Sequence, residues 1–278
     1  MTFASALSRT AACLALCLIA PIAAAQPAAA SKDGAAKDGY KPEVGQPGKD
    51  VVWVPTPQTL VDKMLEVAKV TSADFVMDLG SGDGRTVITA ARLGAKAVGI
   101  EYNPDMVELA KRNAAAAGLG DKVQFMKADL FETDLSKATV ITMFLLNDIN
   151  VRLRPKLLDL KPGTRIVSNT FQMGDWKEDV QVTVTKDCPH YCTAYHWVIP
   201  AKVGGKWTLG KGTLQLTQKY QEITGTLTID GKTLDLANPK LRGADISFSA
   251  GGTRYAGKVN GNAMEGAGGK WKATRTGA

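Results

Sequence analysis

The sequence predicts an α/β protein, a Rossmann-like sheet followed by a small all-β C-terminal domain. Three observations predict it. Short apolar runs alternate with helical patterns between residues 52 and 170. The first of those runs ends in an acidic residue and a glycine turn, Asp78-Leu79-Gly80-Ser81-Gly82-Asp83-Gly84. From about Val203 the pattern changes to short alternating segments separated by turn residues such as Asp230-Gly231 and Asn260-Gly261-Asn262. Alternation of strands and helices at this interval implies βαβ units on a parallel sheet. Alternating segments with Asp-Gly and Asn-Gly turns imply a meander or small barrel.

The amino-terminal stretch pairs Arg9 with the apolar run Ala11 to Ala25, and Ala23-Ala24-Ala25 before Gln26 fits a small-x-small cleavage site. Residues 1–25 therefore read as a signal peptide, and the chain is expected to be periplasmic or secreted. The run of about 15 residues is short of the ~20 a bilayer span needs, which leaves an uncleaved membrane anchor as the alternative. Residues 26–50 are Ala, Gly, Pro, Lys and Asp with almost no large apolar side chain. Such a segment cannot bury enough surface to offset its ordering entropy, so a disordered linker is expected.

Residues 51–202 carry the α/β pattern. Leu60, Val61, Met64, Leu65, Val67 and Ala68 recur at helical spacing, and Thr71-Ser72-Ala73 is the expected stop. The spacing then predicts strands over 75–79, 97–101, 123–127, 139–144 and 165–169, with helices over 84–93, 104–117 and 148–159. Asn103-Pro104 opens the second of these helices, and Gly118 and Gly120 close it. Two further strands, 180–184 and 194–199, flank Asp187-Cys188-Pro189-His190-Tyr191-Cys192. Cleavage of the leader would remove Cys13 and Cys17, and in an oxidising compartment Cys188 and Cys192 can then form a local disulfide. The competing reading is a metal site made by Cys188, Cys192, His190 and His196. Residues 203–278 form the accessory domain. Strands are expected at 212–218, 222–229, 233–236, 245–249, 253–259 and 270–275. Gly205-Lys206-Trp207 recurs as Gly269-Lys270-Trp271, an echo between first and last strands.

The glycine turn is the chemical signal. Its G-x-G-x-G spacing departs from the dinucleotide pattern G-x-G-x-x-G, and no Gly-Lys-Ser/Thr follows, which excludes a P-loop. Asp78 and Asp83 would repel a pyrophosphate but suit a ligand bearing an ammonium or sulfonium. Glu101 lies 21 residues after Gly80, the distance at which a strand-end carboxylate reaches ribose hydroxyls. Asp129, in Ala128-Asp129-Leu130 after the third strand, can accept from an exocyclic adenine amine. Glycine turn, Glu101 and Asp129 in that order resemble a class I S-adenosylmethionine-dependent methyltransferase. Val54-Pro55-Thr56-Pro57, Leu153-Arg154-Pro155-Lys156-Leu157-Leu158 and Leu160-Lys161-Pro162-Gly163 are similar to a bacterial group related to ATP synthase c-subunit lysine methyltransferases.

The resemblance implies a seven-stranded methyltransferase sheet and S-adenosylmethionine as cofactor. Gly80, Ser81, Gly82 and Gly84 would surround its methionine part, Glu101 its ribose, and Asp129 with Leu130 its adenine. Asp78 either braces the turn or approaches the amino end of the cofactor, with Asp83 beside it. The implied reaction is N-methylation of a protein lysine, with membrane-associated proteins among the candidate substrates. The end of the fourth strand, Phe144 to Asn150, lacks the Asn/Asp-Pro-Pro-aromatic signature of adenine and glutamine N-methyltransferases. There Asn147 and Asn150 are the candidate substrate-positioning groups, although Asn147 or Asp148 could simply cap the next helix. Phe171, after the fifth strand, either walls the substrate channel or belongs to the core.

The chain of 278 residues has a net charge of +7 without basic runs interleaved with aromatics, which argues against nucleic acid. Eleven Lys and Arg against five Asp and Glu in residues 203–278 leave an anionic surface or glycan as a conceivable partner of the β domain. Export conflicts with a cytosolic cofactor. Two alternatives follow: a non-catalytic binder of a nucleoside-like ligand, and an envelope module whose β domain acts on a methyltransferase-like scaffold.

Overall fold

The computed structural model describes residues 39–276. The expected signal peptide, and the expected linker as far as residue 38, lie outside the described residues. The rest of that linker departs from expectation. Gly45 N–H donates to Trp53 O and Trp53 N–H to Gln46 O, a clasp that folds residues 45–53 back on themselves. Tyr40 accepts from Gln46 Nε2 at 2.6 Å. Composition alone undervalues this stretch because its anchors are single polar side chains and Trp53, rather than an apolar face.

Helix α1 (Gln58–Val67) buries Leu60, Val61, Met64 and Leu65. It ends before Thr71, at Ala68, where Lys69 turns left-handed (φ 52°) and Val70 N–H closes on Leu65 O. Thr71 instead donates its amide to Asp74, whose carboxylate also pairs with Arg165. Then follow β1 (Phe75–Leu79), α2 (Arg85–Arg92), β2 (Lys96–Glu101), α3 (Pro104–Ala116), β3 (Val123–Lys127), β4 (Val140–Met143), α4 (Asn147–Leu158), β5 (Arg165–Asn169), β6 (Val180–Thr183) and β7 (Thr193–Val198). Asn103 caps α3 by accepting from the amides of Asp105 and Met106, and Pro104 occupies the position that needs no donor.

The seven strands lie in the order β3-β2-β1-β4-β5-β7-β6. The first five strands are parallel, and β7 runs antiparallel to β5 and β6. Alternate side chains face opposite layers. Val76, Ala97, Val140 and Val167 pack with α1, α2 and α3. Met77, Leu79, Ile100, Ile141 and Ile166 pack with α4, Trp176 and Trp197. The strand order reverses between β1 and β4, and such a point opens a crevice at the carboxyl ends of the strands.

A second sheet of nine antiparallel strands follows: β8 (Gly205–Leu209), β9 (Gly212–Lys219), β10 (Glu222–Ile229), β11 (Lys232–Asp235), β12 (Ala237–Arg242), β13 (Asp245–Ala250), β14 (Thr253–Asn260), β15 (Ala263–Gly266) and β16 (Lys272–Arg275). Its order is β11-β10-β9-β8-β16-β15-β14-β13-β12. The two edge strands are joined by Leu236 alone, so the sheet curls into a near-barrel around Trp207, Leu214, Leu227, Ile246 and Phe248. The first and last strands, β8 and β16, pair directly. Asp230 and Gly231 both have positive φ, as a two-residue hairpin turn requires. Strands β12 and β15 have no counterpart among the expected segments, and β8 is foreshadowed only by the Gly205-Lys206-Trp207 echo. Asn238 and Pro239 give β12 the look of a turn, and they sit where its register shifts between Ala237 and Lys240.

Candidate functional site

A cavity of about 470 Å³ opens at the carboxyl ends of β1, β2 and β4. One half is built by the glycine turn. Gly80, Gly82 and Gly84 all adopt positive φ (73°, 53° and 83°), which side-chain-bearing residues seldom tolerate. Space gives a second reason at Gly82, where an added Cβ would stand 2.8 Å from Trp53 Nε1. Gly80 and Ser81 amides donate to Ile100 O, which ties the turn to β2. Glu101 reaches across from the end of β2, its carboxylate accepting from Gly82 N and Asn103 N at 2.9 Å each.

Three carboxylates, those of Asp78, Asp83 and Glu101, gather here. Burial pushes the Asp78 carboxyl up to about 7, and Asp83 and Glu101 add repulsion that the Thr142 hydroxyl, 2.6 Å away, only partly offsets. Asp83 is held differently. Arg85 clamps both its oxygens through Nε and Nη2, and the same guanidinium donates to Thr56 O at 2.8 Å. A positively charged ligand group beside Asp78 would relieve the repulsion. The Ser81 hydroxyl is buried and has no hydrogen-bond partner.

Asp129 and Leu130 line the same cavity beyond β3. The Lys49 ammonium sits on Asp129 and holds its carboxyl below the usual carboxylate range, with the Phe131 amide donating to the other oxygen at 2.8 Å. Lys49 Nζ also lies 4.8 Å from the centre of the Tyr102 ring. Residues 46–56 thus close over this half of the cavity as a strap.

The other half is aromatic and apolar. Phe144 follows β4 and stacks on Phe171, which follows β5, with ring centres 6.0 Å apart. Tyr191 adds a third ring, 5.2 Å from Phe144 and tilted by 59°. Leu145, Leu146 and Ile149 complete the lining. Phe171 therefore faces the cavity rather than the core alone.

Asn147 and Asn150 need correction. Neither lines the cavity. Asn147 is an exposed residue of the first turn of α4, and Leu146, not an Asn or Asp, holds the cap position. Asn150 is fully buried and points its amide at Phe171 O (3.1 Å), Gln172 O (3.2 Å) and Ser168 Oγ (3.2 Å). It braces the segment that carries Phe171 instead of meeting a ligand. Sequence spacing puts it near the right place because helix residues three apart share a face, but Ile149 and Leu146 occupy the cavity side.

The second sheet touches this same segment. Trp176 stacks on Tyr220 at 5.6 Å and donates from Nε1 to Gln221 Oε1 at 2.7 Å. Asp175 gathers Lys219, the Tyr220 hydroxyl and Arg154, which hold its carboxyl down at about 2.

Cys188 and Cys192 are joined in a disulfide, so the alternative of a metal site at these cysteines does not hold. His196 lies inside β7, buried without hydrogen-bond partners, and burial lowers it to about 4. Among the described residues, no group of three or more His, Cys, Asp or Glu is arranged to hold a metal. No helix among them is long and apolar enough to cross a membrane.

The residues fit an S-adenosylmethionine site in three respects: a turn of glycines at positive φ that presents bare backbone to the cavity at Gly80 and Gly82, a buried carboxylate raised by desolvation and like charge, and strand-end acids on β2 and beyond β3. Similarity agrees. Residues 78–180 match the family model of the ANTKMT methyltransferase domain. A protein-lysine N-methyltransferase of Saccharolobus islandicus is 45% identical over 152 residues, 54% of this chain and 94% of that protein. An ATP synthase c-subunit lysine N-methyltransferase of Caenorhabditis elegans is 33% identical over 38% of this chain and 58% of its own length. A crystal structure of an RNA methyltransferase from Salinibacter ruber with S-adenosyl-L-homocysteine is 50% identical, with a TM-score of 0.51 over 54% of this chain and 96% of that one. With that identity across nearly the whole archaeal relative, the chain belongs to the S-adenosylmethionine-dependent methyltransferase family to which that lysine methyltransferase belongs.

Proposed function

We propose that this enzyme methylates the side-chain amine of a protein lysine, and that the two halves of its cavity divide the work. The observation that carries the proposal is the juxtaposition of a carboxylate-rich glycine cradle with an aromatic, apolar compartment in one cavity. When bound, the cofactor supplies an electrophilic methyl group on a sulfonium. Asp78 takes its amino end, Glu101 its ribose, and Asp129 with Leu130 its adenine, while Asp83 keeps the mouth of the turn in place through Arg85. Gly80, Ser81 and Gly82 allow close backbone approach, whereas Gly84, expected at the cofactor, lies outside the cavity lining and packs on Phe125 and Ala110.

The acceptor side needs alignment and desolvation more than a dedicated base. A lysine stem lying among Phe144, Phe171 and Tyr191 would leave water behind, which favours the neutral, nucleophilic amine. The archaeal and nematode relatives are named as lysine methyltransferases, which supports this acceptor. RNA is the second reading, raised by the name of the Salinibacter ruber structure. Against it, Phe144 and Phe171 are already stacked on each other, so no base can intercalate between them.

The test is transfer of tritiated methyl from S-adenosylmethionine by the purified chain to histones, poly-L-lysine, detergent-solubilised membrane proteins and total RNA. Label on lysine supports the proposal. Label on RNA alone would contradict it, and tight S-adenosylhomocysteine binding without any transfer would favour a non-catalytic binder. The leader of residues 1–25 supports a periplasmic or secreted setting, and the mass of the mature chain from a bacterial host tests whether it is removed.

A further inference from the structure

Tyr191 has no motif to announce it. It stands inside the five-residue ring closed by the Cys188–Cys192 disulfide, at φ 58°, a conformation that costs a bulky side chain energy unless its surroundings impose it. The ring is anchored on both sides. Thr59 Oγ1 donates to Asp187 O at 3.1 Å, and Val184 N–H donates to Cys192 O at 2.9 Å. The result is a tyrosine 44% exposed, on a disulfide-closed loop hydrogen-bonded at both ends, lining the same cavity as Asp78.

The core does not need this ring, since so much of it is bare. Its neighbour is Phe144, which in turn stacks on Phe171. Two near-parallel rings and a third at 59° make a corner, not a flat slot. A corner of this kind suits a flexible aliphatic stem, which it can flank on adjacent sides, better than a planar base.

From this geometry we infer that Tyr191 is a specificity-determining contact for the methyl acceptor, completing an aromatic sleeve for the stem of a long aliphatic amine, with the disulfide as the strut that holds it there. The inference rests on the lysine reading above. It assigns the Cys188–Cys192 loop a part in acceptor binding and none in cofactor binding.

The experiment measures acceptor KM and kcat on histones and poly-L-lysine, and S-adenosylhomocysteine affinity by calorimetry, for the full chain, Tyr191→Ala, Tyr191→Phe and the pair Cys188→Ser with Cys192→Ser. Loss of one well-placed aromatic contact is expected to raise the acceptor KM about tenfold in Tyr191→Ala. Tyr191→Phe should stay near the parent, because the ring and not the hydroxyl makes the contact. The cysteine pair, and the parent reduced with dithiothreitol, should fall between, and dithiothreitol should add nothing to the cysteine pair. Cofactor affinity should stay within about twofold throughout, which also reports that each variant is folded. An unchanged KM in Tyr191→Ala, while the parent turns over, would overturn the inference and leave the lysine reading intact. No transfer by the parent to either substrate would instead sink the lysine reading. A Tyr191→Ala protein that loses cofactor affinity and acceptor affinity together would assign the loop to structure and likewise overturn it. A reduced parent that matches the oxidised one would remove the strut.

Discussion

The two halves of the cavity are made in different ways. The cofactor half comes from consecutive residues, Asp78 to Gly84, and from acids at the ends of the next two strands. The acceptor half comes from the end of β4, the end of β5 and a disulfide-closed loop, supported behind by Asn150 and by the Tyr220-Gln221 turn of the second sheet. One half is a local motif read out on a strand; the other exists only after the chain has folded. A fold of this family can therefore keep its cofactor chemistry constant while exchanging acceptors through loops.

Substitutions separate the halves. The largest effect is expected for Gly82→Asp, which places a Cβ against Trp53 at a positive φ and a fourth carboxylate beside Asp78, Asp83 and Glu101. S-adenosylhomocysteine binding should fall more than about 100-fold by calorimetry, from backbone strain and like-charge repulsion together. Asp78→Asn should weaken the cofactor about 10- to 100-fold, the worth of one charge-assisted hydrogen bond. The pH dependence has a definite sign. A cationic amino group favours ionised Asp78, so binding expels a proton. Affinity in the parent should be full above about 7 and fall as pH drops below it, approaching tenfold per unit. In Asp78→Asn that slope should vanish; a retained slope would assign the titration elsewhere.

Asn150→Ala should act on the acceptor half only. It removes the donors held by Phe171 O and Gln172 O. Acceptor kcat/KM is expected to fall about tenfold with cofactor affinity unchanged, alongside a stability loss of about 1–3 kcal/mol in urea denaturation. Equal losses on both sides would blur the division. The smallest effect is expected at Lys49→Ala. Lys49 occupies Asp129, so its removal should tighten cofactor binding a few-fold, in keeping with the modest worth of exposed ion pairs. Weaker binding would mean that the strap helps to hold the ligand.

The same division governs what the sequence reveals. Strands β1 and β5 fall on their expected bounds because interior strands of a parallel sheet read as short apolar runs between turns, and β3 because this edge strand alternates buried Val123 and Phe125 with exposed neighbours; Asp78, Gly80 to Asp83, Glu101 and Asp129 all meet the cavity. Lys49 is hidden in a stretch whose composition resembles a linker, since a few long-range contacts, its ion pair with Asp129 among them, order it. Asn150 lies on the wrong side of its helix by one residue of phase. Tyr191 is invisible in the sequence because its role depends on a loop brought beside Phe144 by β7 pairing with β5. In the second sheet, β15 escapes a pattern search because Ala263–Gly266 is short and carries only one large apolar side chain, Met264.

The most direct test of this division is a crystal structure of the full chain with S-adenosylhomocysteine. The amino group should lie at Asp78, the ribose at Glu101 and the adenine at Asp129 with Lys49 displaced, and the sulfur should face Phe144 and Tyr191. A nucleoside lodged among Phe144, Phe171 and Tyr191, with the glycine turn facing solvent, would contradict it.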